Sequence, residues 1–449
     1  MSTATDSHFE KSKTTPKAFW LLFLIVLVDM MGFGLIIPLL PFYALKFQAS
    51  ELQVTLMLSV YSLCQFVATP ILGSLSDRIG RRPVLVFSQL GTTSASIILG
   101  VATAMHFENL TLGLGVVYFS RVIDGISGGN ISAAQAYVSD IVPREQRAKY
   151  MGLLGAAFGI GFALGPGIGG LLGHFNEALP PFFAAAFSLT AATLAYFKLP
   201  ESLKKPLVPQ PDSYLVKSVR VMRPVQLLRQ AYGALRSHLM TSARLMKQPI
   251  LAQISMVWFL SMFAFVTMES VFALFLKQTF GFEELGVGMT FMLAGVMIII
   301  VQGGLIGRLK DRVGEWSLAI AGPLLFAVAM LLYAQSSFTP VLFLLVLAVI
   351  FNALGRSLQT PAMSSLVAHS APAAQQGAAF GLFHGMGSLA RVFGPAVAGS
   401  IYLSNRAWPP FVMAAGLTLI AGIWTIGIWL QTRKLAIEPA TDAAPQASV

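Results

Sequence analysis

The chain has 449 residues, of which 55% are hydrophobic and only 11% charged, and its mean hydropathy is +0.72. A soluble protein of this length needs far more surface charge, so that class is excluded. The formal charge of +11 raises nucleic acid as a partner. Its concentration on particular connections between apolar runs argues against one.

A polar stretch, residues 1–17, precedes the first apolar run. That run is long and lacks a small-residue cleavage site, so it reads as a retained helix and not as a signal peptide. Twelve runs approach the roughly 20 residues that cross a bilayer as helix. They are 18–43, 52–73, 84–105, 112–138, 150–173, 181–199, 250–276, 286–307, 317–336, 340–366, 377–402 and 408–431. Their unbroken apolarity differs from the alternation of barrel strands, and backbone groups in hydrocarbon favour helix. The expected fold is an all-α membrane protein with twelve transmembrane helices. Two six-helix halves, 18–199 and 250–431, are joined by a linker at 200–249 and flanked by tails at 1–17 and 432–449.

The linker opens with Pro206, Pro209 and Pro211, and a basic stretch follows with Leu228, Tyr232, Leu235 and Leu239 near helical spacing. The plain reading is a solvated connector lying partly on the membrane surface. The tail after Lys434 is rich in Ala and Pro and reads as disordered. Basic residues crowd alternate connections and both ends, among them Lys11, Lys13, Lys17, Arg144, Arg147, Lys149, Arg308, Lys310, Arg433 and a linker group from Lys198 to Lys247. The opposite connections carry only Lys46, Lys277 and Arg406. That bias puts both termini and the linker in the cytoplasm, against an anionic leaflet, which makes membrane lipid a partner. Cys64 is the only cysteine, so no internal disulfide is possible. The six histidines show no metal spacing. No metal or cofactor is expected, and no arrangement of catalytic side chains points to an enzyme.

The chain repeats itself. Gly73-Ser-Leu75-Ser-Asp77-Arg78-Ile-Gly80-Arg81-Arg82 follows the second run, and Gly307-Arg308-Leu309-Lys310-Asp311-Arg312-Val-Gly314 follows the eighth. Asp77 and Asp311 are 234 residues apart, and the Gly-Pro pairs at Gly165 and Gly394 in the fifth and eleventh runs are 229 apart. Two matches at similar offsets indicate a six-plus-six duplication. The fifth run also places Gly155, Gly159, Gly161, Gly165, Gly169 and Gly170 around Pro166. Such glycines let helices approach closely, and the proline bends them. A seam that seals and flexes is one reading, and plain close packing is the other.

At these residues the chain resembles the major facilitator superfamily, over nearly all of 18–431. The match narrows to its drug:proton antiporters, particularly the tetracycline-efflux-like branch. Two further elements carry that: Asp29-Met-Met-Gly32-Phe-Gly34-Leu-Ile-Ile-Pro38-Leu-Leu-Pro41 in the first run, and the Gly-Pro-rich fifth run. The resemblance makes Arg121-x-x-x-Gly125 in the fourth run an element of proton coupling. It also makes Gly73, Asp77, Arg78, Gly80, Arg81 and Arg82, echoed by Asp311 and Arg312, a cytoplasmic gate. In that gate Asp77 latches the outward-facing state, and the arginines supply partner charges and lipid contact. Two departures stand out. The third run, Phe87 to Ala102, has no acidic residue, only Ser88, Gln89, Thr92, Thr93, Ser94 and Ser96, which puts tetracycline itself in doubt. Glu315-Trp316 replaces the paired arginines in the second half.

An ionisable side chain at the bilayer centre costs roughly 2.5–3.5 kcal/mol or more. Asp29, Arg121, Asp124, Glu269, Arg356 and Arg391 qualify, with His384 beside them. Asp29 lies about eleven residues into its run, roughly 16 Å of helix. A carboxyl withdrawn from water is readily protonated, as an antiporter's proton site requires. The alternative is a carboxylate held by Arg121 or by backbone near Gly32. Arg121 and Asp124 are three apart and share a helix face, either as a fixed pair or with Arg121 exchanging between Asp124 and Asp29. Glu269 is a proton or cation site, or a residue snorkelling at the outer rim. Arg356 and Arg391 attract an anionic cargo in a cavity, or pair with Glu269 or with carbonyls near Pro361 and Pro395. His384 either relays protons or packs.

Together these features describe a multi-pass integral membrane protein, expected in a bacterial cytoplasmic (inner) membrane and acting as a monomer. Its expected function is proton-coupled efflux of small amphipathic compounds by alternating access, with a small-molecule substrate and protons as partners. The alternative is transport of an organic anion, metabolite or lipid through Arg356 and Arg391.

Overall fold

The computed structural model describes residues 15–143, 146–203, 233, 240, 243–371, 375–402 and 406–441. Arg144, the linker residues Leu228, Tyr232, Leu235 and Leu239, and residues 442–449 lie outside them, whereas Leu435–Thr441, expected to be disordered, continue the last helix.

Every long apolar run is helix. The first span is Thr15–Ile36, continued through a 3-10 turn at Ile37–Leu39 into Leu40–Lys46. Pro38 and Pro41 explain the change of pitch, because each removes an N–H from the α-helical ladder. The other spans of the first half are Glu51–Ile79, Arg81–Ala104, Leu110–Ile141 (with a 3-10 turn at Gly128–Asn130), Arg147–Phe175 and Leu179–Lys198. The second half begins with Pro249–Phe280. Next comes Glu284–Ile300, extended by a π-helical turn at Val301–Leu305 into Ile306–Ser336, and then Leu342–Ser370, Gln376–Ile401 and Pro409–Thr441. Ten described stretches are long and apolar enough to cross a membrane. One of them, Glu284–Ser336, holds 53 residues and breaks at Gly314 into the eighth and ninth spans. The eleventh, Gln376–Ile401, is helical but more polar, carrying His384 and Arg391. The described residues therefore form twelve helical spans.

The repeated phrases are helical on both sides of a single glycine. The second helix runs through Asp77 to Ile79 and the third starts at Arg81, so Gly80 alone is the connection. Its φ of +106° and ψ of 157° lie in a region essentially reserved for glycine. Gly314, 234 residues later, repeats the turn with φ 78° and ψ 166°. The duplication seen in sequence is thus a duplication of backbone geometry.

Packing places the functional groups. Within the first half the first span lies on the fifth and sixth, the third on the fourth and sixth, and the second on the fourth. In the second half the seventh meets the eleventh and twelfth, and the ninth meets the tenth and twelfth. The main crossings between halves are fifth to eighth and second to eleventh. One apolar core joins both halves at the end away from Gly80 and Gly314, running from Leu35, Tyr43 and Met57 to Phe272, Phe275, Tyr333 and Phe411. Toward the Gly80 end the core divides. Phe19, Leu85, Tyr137 and Leu154 belong to one cluster, and Trp258, Leu318, Met363 and Phe383 to a separate one. The fifth helix shows the same splay. Ala163, Pro166 and Gly170 press on Gly295, Gly288 and Glu284 of the eighth. Gly159, Gly155 and Gly152 continue that stripe at helical spacing, yet nothing lies within 4 Å of where a Cβ would stand on them. Gly303, Gly304 and Gly307 on the eighth are equally open. The halves are closed at one end and parted at the end carrying the repeated turns.

Candidate functional site

Close crossings of small residues bring the first-half charges together. Gly125 sits where a Cβ would be 2.4 Å from the carbonyl oxygen of Tyr61, so the fourth helix lies directly against the second. Gly34 and Gly165 do the same for the first and fifth helices, with Gly169 against the Leu35 carbonyl. Gly155 and Gly159, expected in that close seam, stand open instead.

Arg121 and Asp124 are 3% and 5% exposed, and Arg121 Nη1 donates to Asp124 Oδ2 at 3.0 Å. Arg121 Nε meets Ser120 Oγ at 3.3 Å, while Nη2 is sealed from solvent with no protein acceptor. Thr92 of the third helix reaches Asp124. Asp29, 8% exposed, makes no ion pair among the described residues. Its Oδ2 accepts from Asn130 Nδ2 at 3.4 Å, and Gln89 is its second side-chain donor. Of the two holders expected for Asp29, Arg121 is committed to Asp124, and neutral amides take its place. Asn130, Gln89 and Thr92 escaped the sequence reading as site residues because neutral polar groups in a span look alike until helix rotation aims them. Tyr61 completes the floor, 5.5 Å from the Phe33 ring and bonded by Gln65 Nε2 at 3.2 Å.

In the second half, Arg356 lies 4.1 Å from the Phe265 ring centroid and 5.8 Å from that of Trp258, and Nη1 touches Met262 Sδ at 3.4 Å. Trp258 stacks on Phe383 at 4.5 Å, and Phe383 meets His384 edge-on at 5.3 Å. Arg391 is exposed on the eleventh helix, within electrostatic reach of Glu269, Arg356, His384 and, across the halves, Tyr61. Glu269 is half-buried on the seventh helix, within electrostatic reach of the two arginines. The carbonyl partners expected near Pro361 and Pro395 are not used by either arginine among the described residues.

At the Gly80 turn, Glu201 accepts from the backbone N–H of Arg81 at 2.8 Å and Arg82 at 3.1 Å, filling the space a Cβ on Gly80 would need. A carboxylate there satisfies the free donors of a helix start. Buried Arg81 binds Asp77 at 2.6 Å, Asp140 at 3.1 Å and Ser76 Oγ at 2.6 Å. Arg82 is turned to the protein. It donates to the carbonyls of Ala195 and Tyr196 that end the sixth helix. Asp77 is exposed and Arg78 half-exposed, and Gly73 abuts Ser132. On the opposite half Asp311 and Arg312 are exposed, while Glu315 takes hydrogen bonds from Ser365 Oγ at 2.6 Å and Lys310 Nζ at 2.7 Å, with His369 Nδ1 at 3.2 Å. Glu315 therefore anchors the second turn to the tenth helix as Arg81 anchors the first to the fourth, with the charge reversed.

Comparison with known proteins agrees with this architecture. The family model described as Major Facilitator Superfamily matches residues 22–339 and 303–446. Multidrug resistance protein 2 of Bacillus subtilis (strain 168) is 28% identical over 414 residues, covering 91% of this chain and 94% of that one. Tetracycline resistance protein, class C, of Escherichia coli is 28% identical, covering 88% and 92%. Human major facilitator superfamily domain-containing protein 10 is 31% identical, covering 81% and 76%. The crystal structure of that protein, described as an organic anion transporter, superposes with a TM-score of 0.65 over 92% of this chain. Matches of this length, on a fold of twelve helical spans, place the chain in a family of membrane transporters, not enzymes: it belongs to the major facilitator superfamily.

Proposed function

We propose that this transporter exports small amphipathic compounds in exchange for protons by alternating access, with Asp29 as the proton carrier. The observation that carries the reading is the buried charge of the first half. Asp29 and Asp124 share one guanidinium, that of Arg121, and Asp124 holds it. Asp29 is left with amide neighbours and a net charge of −1 on the set, which one proton brings to zero. The relatives named for multidrug and tetracycline resistance support efflux as the task. The parted halves at the Gly80 end, joined at the other, supply one of the two states that alternating access requires.

The same reading makes the two six-helix halves the moving bodies and Asp77, Arg81 and Gly80 part of the gate at the open end. That end, with both termini and the linker, faces the cytoplasm of a bacterial cell, as the basic connections favour. One copy suffices, because both inter-half seams lie within a single chain. The test uses the purified protein in lipid vesicles with an imposed pH gradient, after a screen for cargo in cells lacking their own exporters. Gradient-driven uptake of cargo, with matching proton release, is the expected result. Asp29→Asn is expected to keep downhill cargo exchange and lose the response to the gradient. Uptake by Asp29→Asn that still follows the gradient removes Asp29 from the coupling.

A further inference from the structure

The second half carries a charge set that the Asp29 scheme does not use. Within the hydrophobic length of its spans the ionisable side chains are Glu269, Arg356, His384 and Arg391. Among the described residues, Glu269, Arg356 and Arg391 make no ion pair within 4.0 Å. Arg356 spends one donor on the Met262 thioether, a weak acceptor. Phe265 and Trp258 hold its guanidinium by their ring faces, which fix a cation without neutralising it. Behind that head Trp258 stacks on Phe383, and both rings are buried in the second-half core, so the guanidinium is backed by rigid packing. Arg391 is exposed on the eleventh helix, which packs against the second helix of the first half. Two guanidiniums and one carboxylate, with His384 neutral, sum to +1.

We propose that Arg356, backed by Arg391, binds the acidic group of a singly charged amphipathic organic anion, with Glu269 tempering the affinity. The proposal rests on the reading that cargo lies between the halves, but not on Asp29 as proton carrier. A guanidinium fork matches a carboxylate or sulfonate through paired N–H donors. One negative charge brings the set to zero. A second overshoots, and a cation meets two like charges. Glu269 lies within electrostatic reach of both arginines, so removing its charge strengthens the site.

The test is equilibrium dialysis of the purified full chain in detergent, at one pH, with protein-free micelles as blank. The probes share one ring system: naphthalene-sulfonate, its neutral sulfonamide, a naphthyl-trimethylammonium and naphthalene-disulfonate. With no gradient present, the result is independent of proton coupling, so failure here and failure of the Asp29 scheme are distinguishable. The monosulfonate is expected to bind roughly tenfold tighter than the sulfonamide. Arg356→Gln erases that preference while leaving sulfonamide binding in place, which also reports that the variant is folded. Arg391→Gln lowers the preference in part. Glu269→Gln tightens the monosulfonate by about threefold or more and admits the disulfonate. Equal binding of all charge forms, a preference for the ammonium, or weaker sulfonate binding by Glu269→Gln each overturns the proposal.

Discussion

Asp29 and Asp124 are the same side chain at nearly the same burial, and their surroundings give them different work. Asp124 neutralises Arg121, whose Nη2 already lacks a partner. Removing that carboxylate leaves a sealed cation unpaired, a loss of about 3–5 kcal/mol. Asp124→Asn is therefore expected to lower the thermal midpoint sharply and to yield little monodisperse protein. Arg121→Gln combined with Asp124→Asn recovers part of the loss, because the pair leaves together. Asp29→Asn keeps shape, and its amide still meets Asn130 and Gln89. Its midpoint is expected to stay close to wild type. Thermal unfolding followed by tryptophan fluorescence ranks all three, and an Asp124→Asn protein as stable as Asp29→Asn contradicts this division of roles. The carboxylates were legible in the sequence because charge inside an apolar run has few reasons to exist. Their sorting was not, since it depends on which way the third and fourth helices turn Gln89, Thr92 and Asn130.

The stripe on the fifth helix shows what an element adds to its residues. Its outer part already fits the eighth: Ala163 meets Gly295, and Gly170 meets Gly288 and Glu284. The helices run antiparallel, so the same register carried inward sets Gly155 opposite Gly303. The π turn at Val301–Leu305 inserts one residue, which moves the facing positions to Gly304 for Gly155 and Gly307 for Gly152. All of these are glycines, and all are open in this state. When the Gly80 end closes, they are expected to form a backbone-to-backbone seam like the outer one. The check is a pair of double-cysteine proteins built on Cys64→Ser. Gly167→Cys with Met292→Cys is expected to cross-link the form described, because a Cβ on Gly167 would stand 3.2 Å from the Met292 Cβ. Gly155→Cys with Gly304→Cys is expected to cross-link only in the opposite form, and each bond arrests transport. Cross-linking of both pairs in one population contradicts the register. The small-residue pattern was visible in the chain, but which glycines are engaged is a property of the state. The turns at Gly80 and Gly314 follow the same rule. The repeated phrase announced them, whereas the reversed anchor at Glu315 needed Ser365 and His369 brought beside it by the tenth helix.

Across the whole molecule the charges within the apolar length of the spans divide by half: −1 on Asp29, Arg121 and Asp124, and +1 on Glu269, Arg356 and Arg391. Twelve apolar runs disclosed the membrane fold directly, apart from the more polar eleventh span. This partition is as simple, yet it emerges only once the two sets are seen to be separate. It has a consequence for energy coupling. A set lacking one positive charge and a set lacking one negative charge are each completed by a different ligand. If a monoanion leaves while a proton enters, two elementary charges move in the same direction per cycle. An inside-negative membrane potential then contributes roughly 4.6 kcal/mol per 100 mV to export, twice the roughly 2.3 of a cycle that moves one charge. In vesicles held at set potassium diffusion potentials, the pH difference that nulls cargo flux is expected to shift with a slope set by two charges moved per proton. A slope of one marks a neutral cargo and leaves the arginines without an anion to carry. Insensitivity to potential marks exchange of a cation for a proton, and that result assigns the second-half charges to holding the halves together instead of to the cargo.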